Sequence, residues 1–312
     1  MRALKSLLHL LRKVNKKMSN KSLEDITVLD LTHRLPGPLA GKLFTDLGAK
    51  VIKIEDHIFQ DPFLSGPFQS MDSSFETWYK QINQNKKIIR LDFKEGLEKL
   101  KPYCQKADII LMGLPPKLEL KLALDEMTHP HVVVKMGSTA KESKSMHDLN
   151  IMAELGYLNI HVDSFKGDII PPPFFPFAGV LFSHHIVNNS IAALLKAYKT
   201  NKKQNIQCFL EDATRQSLAP LYISGEKSFL HNGRYPCYNI YRTSDGYVAL
   251  AALEEKFWVK LCELFDLELT LKERFQDSDN KIKEQLSHLF KQYSNQKISE
   301  MTKGHDLCLT LF

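Results

Sequence analysis

Residues 26–55 contain a strand–helix–strand pattern that dictates a parallel sheet. Residues 26–31 read Ile-Thr-Val-Leu-Asp-Leu, an apolar run typical of a buried strand, and residues 50–55 alternate apolar and polar positions. Between them, residues 39–47 have the pattern of a short helix that ends at Gly48. Two strands joined through a helix lie parallel in one sheet, with a right-handed crossover.

Further strands are predicted at Lys87–Leu91, Ile109–Met112 and 132–135, with helical segments between them. The sequence therefore predicts an α/β fold, a Rossmann-like doubly wound parallel sheet, over residues 24–200. The first crossover lacks a GxGxxG loop, which argues against a nicotinamide or flavin cofactor. Glu55 is interpreted as a surface carboxylate.

The pattern changes in the second half. A long helix is predicted over 178–198, after three consecutive prolines at 171–173, and residues 201–235 are interpreted as a linker. Residues 236–312 are predicted to form a smaller α+β domain. It contains a hairpin with an Asp-Gly turn at 245–246, and helices over 254–265 and 281–293.

Charge and cysteine content exclude several classes of function. The chain of 312 residues has a net charge of +6, and residues 1–18 carry six basic and no acidic residues. The remainder is balanced, which argues against nucleic-acid binding. The five cysteines are scattered with no CxxC pair, so we expect no metal site, no disulfide framework and a reducing, cytoplasmic location.

Residues 1–18 have leucines at helical spacing among the basic residues. Together with residues 19–23 they form a basic amphipathic extension ahead of the first domain. Two interpretations stay open: a dispensable extension, with Met18 as a second start, or a functional helix. The second would give weak contact with a membrane surface or direct the chain to an organelle.

Five segments, in order along residues 24–312, resemble the family III CoA-transferases, which include α-methylacyl-CoA racemase. They are 28–31 with Gly37-Pro38 and 46–55, Asn85-Lys86-Lys87 with Leu91-Asp92, His147-Asp148-Leu149-Asn150, 236–254, and Asp306-Leu307-Cys308. The racemase branch is the closer match, mainly through residues 147–150 and the hairpin.

The resemblance implies an acyl-CoA substrate that carries its own CoA, with no further cofactor, and a homodimer of interlocked subunits. It places Asn85, Lys86 and Lys87 at the CoA nucleotide, with Lys117 near the position of an arginine in the family. A basic pair suits phosphate recognition, although a solvated pair at the start of a strand has the same pattern.

For the chemistry, the resemblance implies that His147 removes the α-proton of a 2-methylacyl-CoA while Glu254 orients its ring. Two alternatives stay open. Asp148 matches the carboxylate nucleophile of a CoA-transferase, or the chain is a catalytically impaired homologue that only binds CoA thioesters. By itself, the pair at 147–148 is also typical of a helix start.

The sequence departs from the racemases at several positions. Pro176 stands where they have the aspartate that acts as the second base, and Met146 stands where they have glycine. The segment before the histidine is rich in glycine in the racemases, whereas residues 137–141 here contain a single glycine. Family members also continue beyond the position of Phe312, which leaves the interlocking of the dimer and the completion of the sheet open.

Overall fold

The computed structural model describes residues 22–312, apart from residues 95, 127–130, 141–145, 163–164, 166, 220–229 and 278. These residues form two compact units, one up to residue 219 and one from residue 230. The predicted extension, residues 1–23, lies almost wholly outside the described residues. Within it, the N–H of Leu23 donates to the carbonyl of Leu47, at 3.0 Å.

The first unit contains a six-stranded parallel sheet in the order β3-β2-β1-β4-β5-β6. Its strands are β1 (Thr27–Asp30), β2 (Lys50–Asp56), β3 (Lys87–Leu91), β4 (Ile109–Met112), β5 (Val132–Gly137) and β6 (Gln204–Phe209). The predicted α/β fold with a doubly wound parallel sheet is thereby confirmed.

Nine helices belong to the described part of the first unit, and several of them cover the two faces of the sheet. They are α1 (Pro36–Asp46), α2 (Pro67–Met71), α3 (Ser74–Ile82), α4 (Lys101–Lys106), α5 (Pro116–Glu119), α6 (Asp148–Glu154), α7 (Leu158–Val162), α8 (Phe177–Thr200) and α9 (Leu210–Leu218). Short 3-10 turns occupy Leu97–Leu100, Leu120–Leu122 and Leu124–Glu126.

Alternate residues of each central strand point to opposite faces, and both faces are buried. On one face Val28, Ile109 and Val132 pack with α1 and α8; on the other, Leu29 and Ile110 pack with the segment around Leu97–Leu100. Helix α8 is long and apolar enough to cross a membrane by composition, but half of that window is buried within the protein. Its apolar side therefore belongs to the core of the unit.

Four charged groups are buried where β1 and β2 end. Lys86 Nζ lies 2.9 Å from Asp30 Oδ2 and also donates to the carbonyl of Pro38 and to Asn83 Oδ1. Lys53, fully buried, donates to the carbonyl of Thr32 and lies 3.6 Å from Glu55 Oε1. Burial lowers the pKa of Lys86 to about 8, although the negative charge of Asp30 acts to raise it.

The same group of charges extends to β3 and α3. Glu55 is fully buried, contrary to its interpretation as a surface carboxylate. Its Oε1 accepts a 2.8 Å hydrogen bond from the Tyr79 hydroxyl, and its Oε2 lies 3.5 Å from Arg90 Nε. Burial opposes ionisation of Asp30, but Lys53 and Lys86 outweigh it and hold the pKa of Asp30 well below its usual value. Asp30 and Lys86 therefore stay ionised at neutral pH.

The second unit combines a three-stranded antiparallel sheet with helices. Strands β7 (Tyr238–Arg242), β8 (Tyr247–Ala251) and β9 (Leu309–Leu311) lie in the order β7-β8-β9. The helices are α10 (Glu255–Phe265), α11 (Lys281–Lys291) and α12 (Asn295–Met301), with 3-10 turns at Leu230–Asn232 and Lys272–Arg274. Its core centres on the fully buried Trp258. The predicted smaller α+β domain is thus present.

Part of the predicted linker, residues 201–235, is wrong, because residues 204–218 form a strand and a helix of the first unit. Strand β6 pairs with β5 from Gln204 to Phe209, and α9 packs on α8. The strand was missed because its residues alternate exposed polar and half-buried side chains at a sheet edge, a weaker apolar signal than that of the central strands. The large unit therefore extends well beyond residue 200. Residues 220–229 of the predicted linker lie outside the described residues.

The buried pair of Lys86 and Asp30 predicts a sharp difference between adjacent lysines. Lys86→Met leaves Asp30 buried without its partner, so we expect a loss of about 3 kcal/mol in the free energy of unfolding. Lys87→Met, at the exposed neighbour, should change it by less than about 0.5 kcal/mol. Urea unfolding of both variants measures the difference. The double variant Asp30→Asn/Lys86→Met should recover part of the loss; equal effects of the two single variants would contradict the assigned role.

Candidate active site

Strands β2 and β3 are added to one side of β1, and β4, β5 and β6 to its other side, so the strand order reverses between β1 and β4. The crevice beyond the carboxyl ends of these two strands is the usual ligand site of such sheets. A cavity of about 450 Å³ lies there, lined by Thr32, His33, Arg34, Gly37 and Gly113 among others. A Cβ on Gly37 would lie 2.3 Å from Thr32 Oγ1, and one on Gly113 would lie 2.7 Å from the carbonyl of Leu31. These two glycines keep the end of β1 open.

A second cavity of about 570 Å³ shares part of its wall with the first. Its lining is mostly apolar: Leu35, Pro36, Phe63, Phe68, Phe75, Met136, Met146, Phe182 and Leu210. Its titratable side chains, among the described lining residues, are His33, Arg34, His147 and Asp148. The pair predicted from the sequence, His147 and Asp148, therefore lines a cavity at the carboxyl end of the sheet.

The start of α6 positions this pair. His147 precedes the helix, and its N–H donates to Asn150 Oδ1 at 3.1 Å. Asp148, the first helical residue, is half-buried, and its Oδ2 accepts a 2.7 Å hydrogen bond from the N–H of Gly179 on α8. Pro176 precedes α8 and supplies no side-chain cap, so Asp148 caps that helix from outside it. Burial raises the pKa of Asp148, although the N–H groups of Gly179 and Ala178 act in the opposite direction.

The sequence analysis missed two residues of this site, His33 and Arg34. Both line the two cavities. Burial and the charge of Lys53 lower the pKa of His33, which keeps its ring neutral at neutral pH. Their position directly after β1, at the point where the strand order reverses, is the signal that identifies them.

An aromatic cluster forms one wall of the larger cavity. Phe63 stacks on Phe75 and Trp78 with centroids 5.2 Å and 5.4 Å apart, and Phe68 contacts it edge-on at 5.9 Å. Such contacts hold the rings in fixed positions. Phe63, Phe68 and Phe75 therefore give an apolar part to the lining of the cavity that His147 and Asp148 also line.

The predicted CoA-binding residues lie in different environments. The ammonium of Lys86 is buried and bonded to Asp30, so it is not available to a phosphate, contrary to the expectation. Asn85, Lys87 and Lys117 are exposed, and Asn85 adopts a left-handed backbone with φ of 68°. These three stay candidates for contact with CoA.

Glu254 belongs to the second unit, where it precedes α10 and is exposed. Its predicted role in orienting His147 stays a prediction. Within the described part of the chain, no group of three or more His, Cys, Asp or Glu side chains is arranged to hold a metal ion.

Comparison with known proteins identifies the family. The model of CoA-transferase family III matches residues 23–311, almost the whole chain. The protein belongs to this family.

The curated relatives carry two kinds of name. Human succinyl-CoA:glutarate CoA-transferase is 28% identical over 269 residues, 79% of this chain and 60% of the relative. Human α-methylacyl-CoA racemase is 23% identical over 314 residues, 93% of this chain and 77% of the relative. The chain thus spans about three fifths of the length of the first relatives it matches. Both activities occur among similar proteins, and the higher identity here is to the transferase.

Solved structures agree on the fold. A CaiB/BaiF family protein from Brucella suis superposes with a TM-score of 0.69 at 24% identity, over 90% of this chain and 82% of that protein. The Rv3272 protein of Mycobacterium tuberculosis gives 0.67 at 21% identity, over 93% and 81%. The likeness confirms the family fold for this chain.

The external cap on α8 predicts opposite effects of two substitutions at Asp148. Asp148→Ala removes the acceptor of the Gly179 N–H and should cost about 1 kcal/mol of unfolding free energy. Asp148→Asn keeps an acceptor oxygen, so it should fold normally. Because burial raises the pKa of Asp148, its ionisation costs stability as pH rises through that pKa. The stability of Asp148→Asn relative to wild type should therefore increase as the pH rises from about 4 towards neutrality.

Thermal unfolding of wild type and both variants across this pH range measures the effect. A difference between wild type and Asp148→Asn that is independent of pH would show that the carboxylate does not titrate as burial requires.

Proposed function

We propose that the chain binds an acyl-CoA thioester in the cavity lined by His147 and Asp148, and that His147 removes a proton from the α-carbon. The observation that carries the proposal is the position of His147: exposed, at the start of α6, on the wall of a mostly apolar cavity. Imidazole is the commonest general base in enzymes. A thioester carbonyl makes the α-proton acidic enough for such a base to remove it, with the charge moving onto the carbonyl oxygen as an enolate.

The geometry favours exchange on one face of the substrate over inversion. Inversion requires an acid or base on each side of the α-carbon. Pro176 occupies the position of the second base of the racemases and has no proton to give. Asp148, the one carboxylic acid in the described lining of the cavity, is held through Oδ2 by the start of α8. We therefore propose a reaction in which His147 removes the proton and returns one to the same face.

A second candidate is CoA transfer through Asp148, which requires only one carboxylate. Two observations favour it: burial raises the pKa of Asp148 in an apolar cavity, and a relative named a CoA-transferase is 28% identical. The carboxylate would attack the thioester carbonyl, the CoA thiolate would leave, and a mixed anhydride would form. Attack of the thiolate on the aspartyl carbonyl would then release the acyl group as a free carboxylate and leave CoA on Asp148 until an acceptor acid takes it.

Proton exchange tests the first candidate. Incubation of the protein with a 2-methylacyl-CoA in deuterium oxide should introduce deuterium at the α-position with retention of configuration. His147→Ala should lower the exchange rate by about 100-fold or more, because it removes the base. His184→Ala, an exposed histidine on α8 outside the cavity lining, is the matched control and should leave the rate unchanged. Mass spectrometry and NMR follow the label and the configuration.

Inversion of configuration would show that another group replaces the missing aspartate and would contradict the one-face reaction. Thioester binding without exchange would overturn the role of His147 in proton transfer.

Transfer activity separates the second candidate from the first. If Asp148 is the nucleophile, the wild type should move CoA from a thioester to a free carboxylic acid, and Asp148→Asn should abolish this movement while still binding the thioester. His147→Ala should retain it. Chromatography of the CoA products measures the transfer. No transfer by the wild type with any carboxylate acceptor would leave the α-carbon reaction as the function of the site.

A further inference from the structure

The segment that follows β1 holds the backbone of His33 between two buried carboxylates. The N–H of Thr32, one residue before it, donates to Asp30 Oδ1 at 3.1 Å. The N–H of Arg34, one residue after it, donates to Asp61 Oδ2 at 2.9 Å, in a left-handed conformation with φ of 65°. Asp30 and Asp61 are fully buried. The imidazole of His33 therefore extends from a backbone that is fixed on both sides, just beyond the carboxyl end of the strand.

His33 is half-buried and lines both cavities, the larger of which it shares with His147 and Asp148. In the part of the chain that the structure describes, neither ring nitrogen of His33 has a hydrogen-bond partner, and neither is completely enclosed by protein. Arg34 lines the same two cavities but is exposed, so water competes for its guanidinium. The imidazole of His33 is thus partly shielded from solvent and free to bond a group that enters the cavity.

The surroundings of His33 favour its neutral form. Burial lowers the pKa of the ring most, and the charge of Lys53 acts in the same direction. The carboxylates of Asp61, Glu55 and Asp30 act to raise this pKa and do not outweigh the first two effects. A neutral imidazole has one N–H donor and one acceptor nitrogen. Such a ring donates a hydrogen bond to an oxygen that gains negative charge and keeps its own proton.

We propose that His33 donates a hydrogen bond to the carbonyl oxygen of the thioester and stabilises the enolate that forms when His147 removes the α-proton. This inference deepens the proposed function and rests on it. The bond between the α-carbon and its hydrogen breaks, the proton goes to the ring of His147, and the electron pair moves towards the carbonyl oxygen. A fixed donor in a partly apolar cavity stabilises the charge on this oxygen better than mobile water does.

The same contact serves the second candidate reaction. Attack of the Asp148 carboxylate on the thioester carbonyl also places negative charge on this oxygen, before the CoA thiolate leaves. The role of His33 as a donor therefore does not depend on which of the two reactions takes place. What it requires is that the thioester binds with its carbonyl oxygen against this ring.

Infrared spectroscopy of the bound carbonyl tests the contact. The probe is 2-methylpropanoyl-CoA, and the difference between the samples with ¹²C and ¹³C at the thioester carbonyl isolates its band. On the wild type this band should lie at lower wavenumber than that of the free thioester, because a donor to the oxygen weakens the double bond. His33→Phe removes the donor and should return the band towards its free position. His33→Gln keeps an N–H donor and should retain most of the shift.

His184→Phe, at an exposed histidine outside the lining of both cavities, is the matched control and should leave the band where the wild type has it. His33→Leu is a second variant without a donor, and it keeps the test valid if His33→Phe folds poorly. The two variants without a donor should give the same band position.

The rate of α-proton exchange separates this role from a structural one. His33→Phe should slow the exchange of the same probe in deuterium oxide by about 100- to 1000-fold. Its Kd for the thioester should change by less than about threefold, because the hydrogen bond strengthens only as charge develops. His33→Gln should retain at least about a tenth of the wild-type rate.

A band that is not shifted on the wild type would overturn the inference, and so would a shift that survives in His33→Phe. If His33→Gln keeps the shift but exchanges as slowly as His33→Phe, His33 transfers a proton instead, which also overturns it. A shift that depends on His33 in a protein that exchanges no α-proton would support the contact and refute only the proposed proton transfer by His147. Failure of the wild type to bind the thioester would refute the proposed function, and the inference with it.

Discussion

The contact between Lys86 and Asp30 supports both the sheet and the site. Asp30 is the last residue of β1, and Lys86 precedes β3, so the pair joins the centre of the sheet to its edge. Lys86 also donates to the carbonyl of Pro38 in the first turn of α1. One ammonium thereby fixes two strands and a helix around the end of β1. Thr32, His33 and Arg34 follow from that point, and their positions depend on it.

Buried charges of this kind have a high desolvation cost, and each one requires several partners. Asp30, Lys53, Glu55 and Lys86 satisfy one another together with Thr32 and Tyr79. Lys86 is the ammonium in direct contact with Asp30, so its removal leaves that carboxylate without its ion-pair partner. For this reason the end of the sheet beside the cavities is built from polar contacts, although the rest of the core is apolar.

The sequence was sufficient for the architecture because its central strands are apolar runs bounded by clear turns. Strands β3 and β4 have their predicted bounds. His147 and Asp148 line one cavity, and their catalytic roles stay a prediction. Strand β6 was missed because an edge strand alternates polar residues. Lys86 was misassigned for a different reason: its sequence neighbours do not show whether an ammonium faces solvent or a buried carboxylate. No local motif marks His33 and Arg34, because their place at the cavities comes from the topology of the sheet.

The capping of α8 by Asp148 has a consequence for the motions of the site. The first turn of the longest helix of the unit depends on a carboxylate that also faces the ligand cavity. A ligand group that competes for this carboxylate weakens the hydrogen bond from the Gly179 N–H. A ligand that leaves this hydrogen bond intact keeps the first turn of α8 capped. Exchange of the Gly179 amide with solvent therefore reports which atoms of the cavity a ligand engages. Hydrogen exchange at the start of α8 therefore reports ligand binding in the cavity, whether or not a reaction takes place.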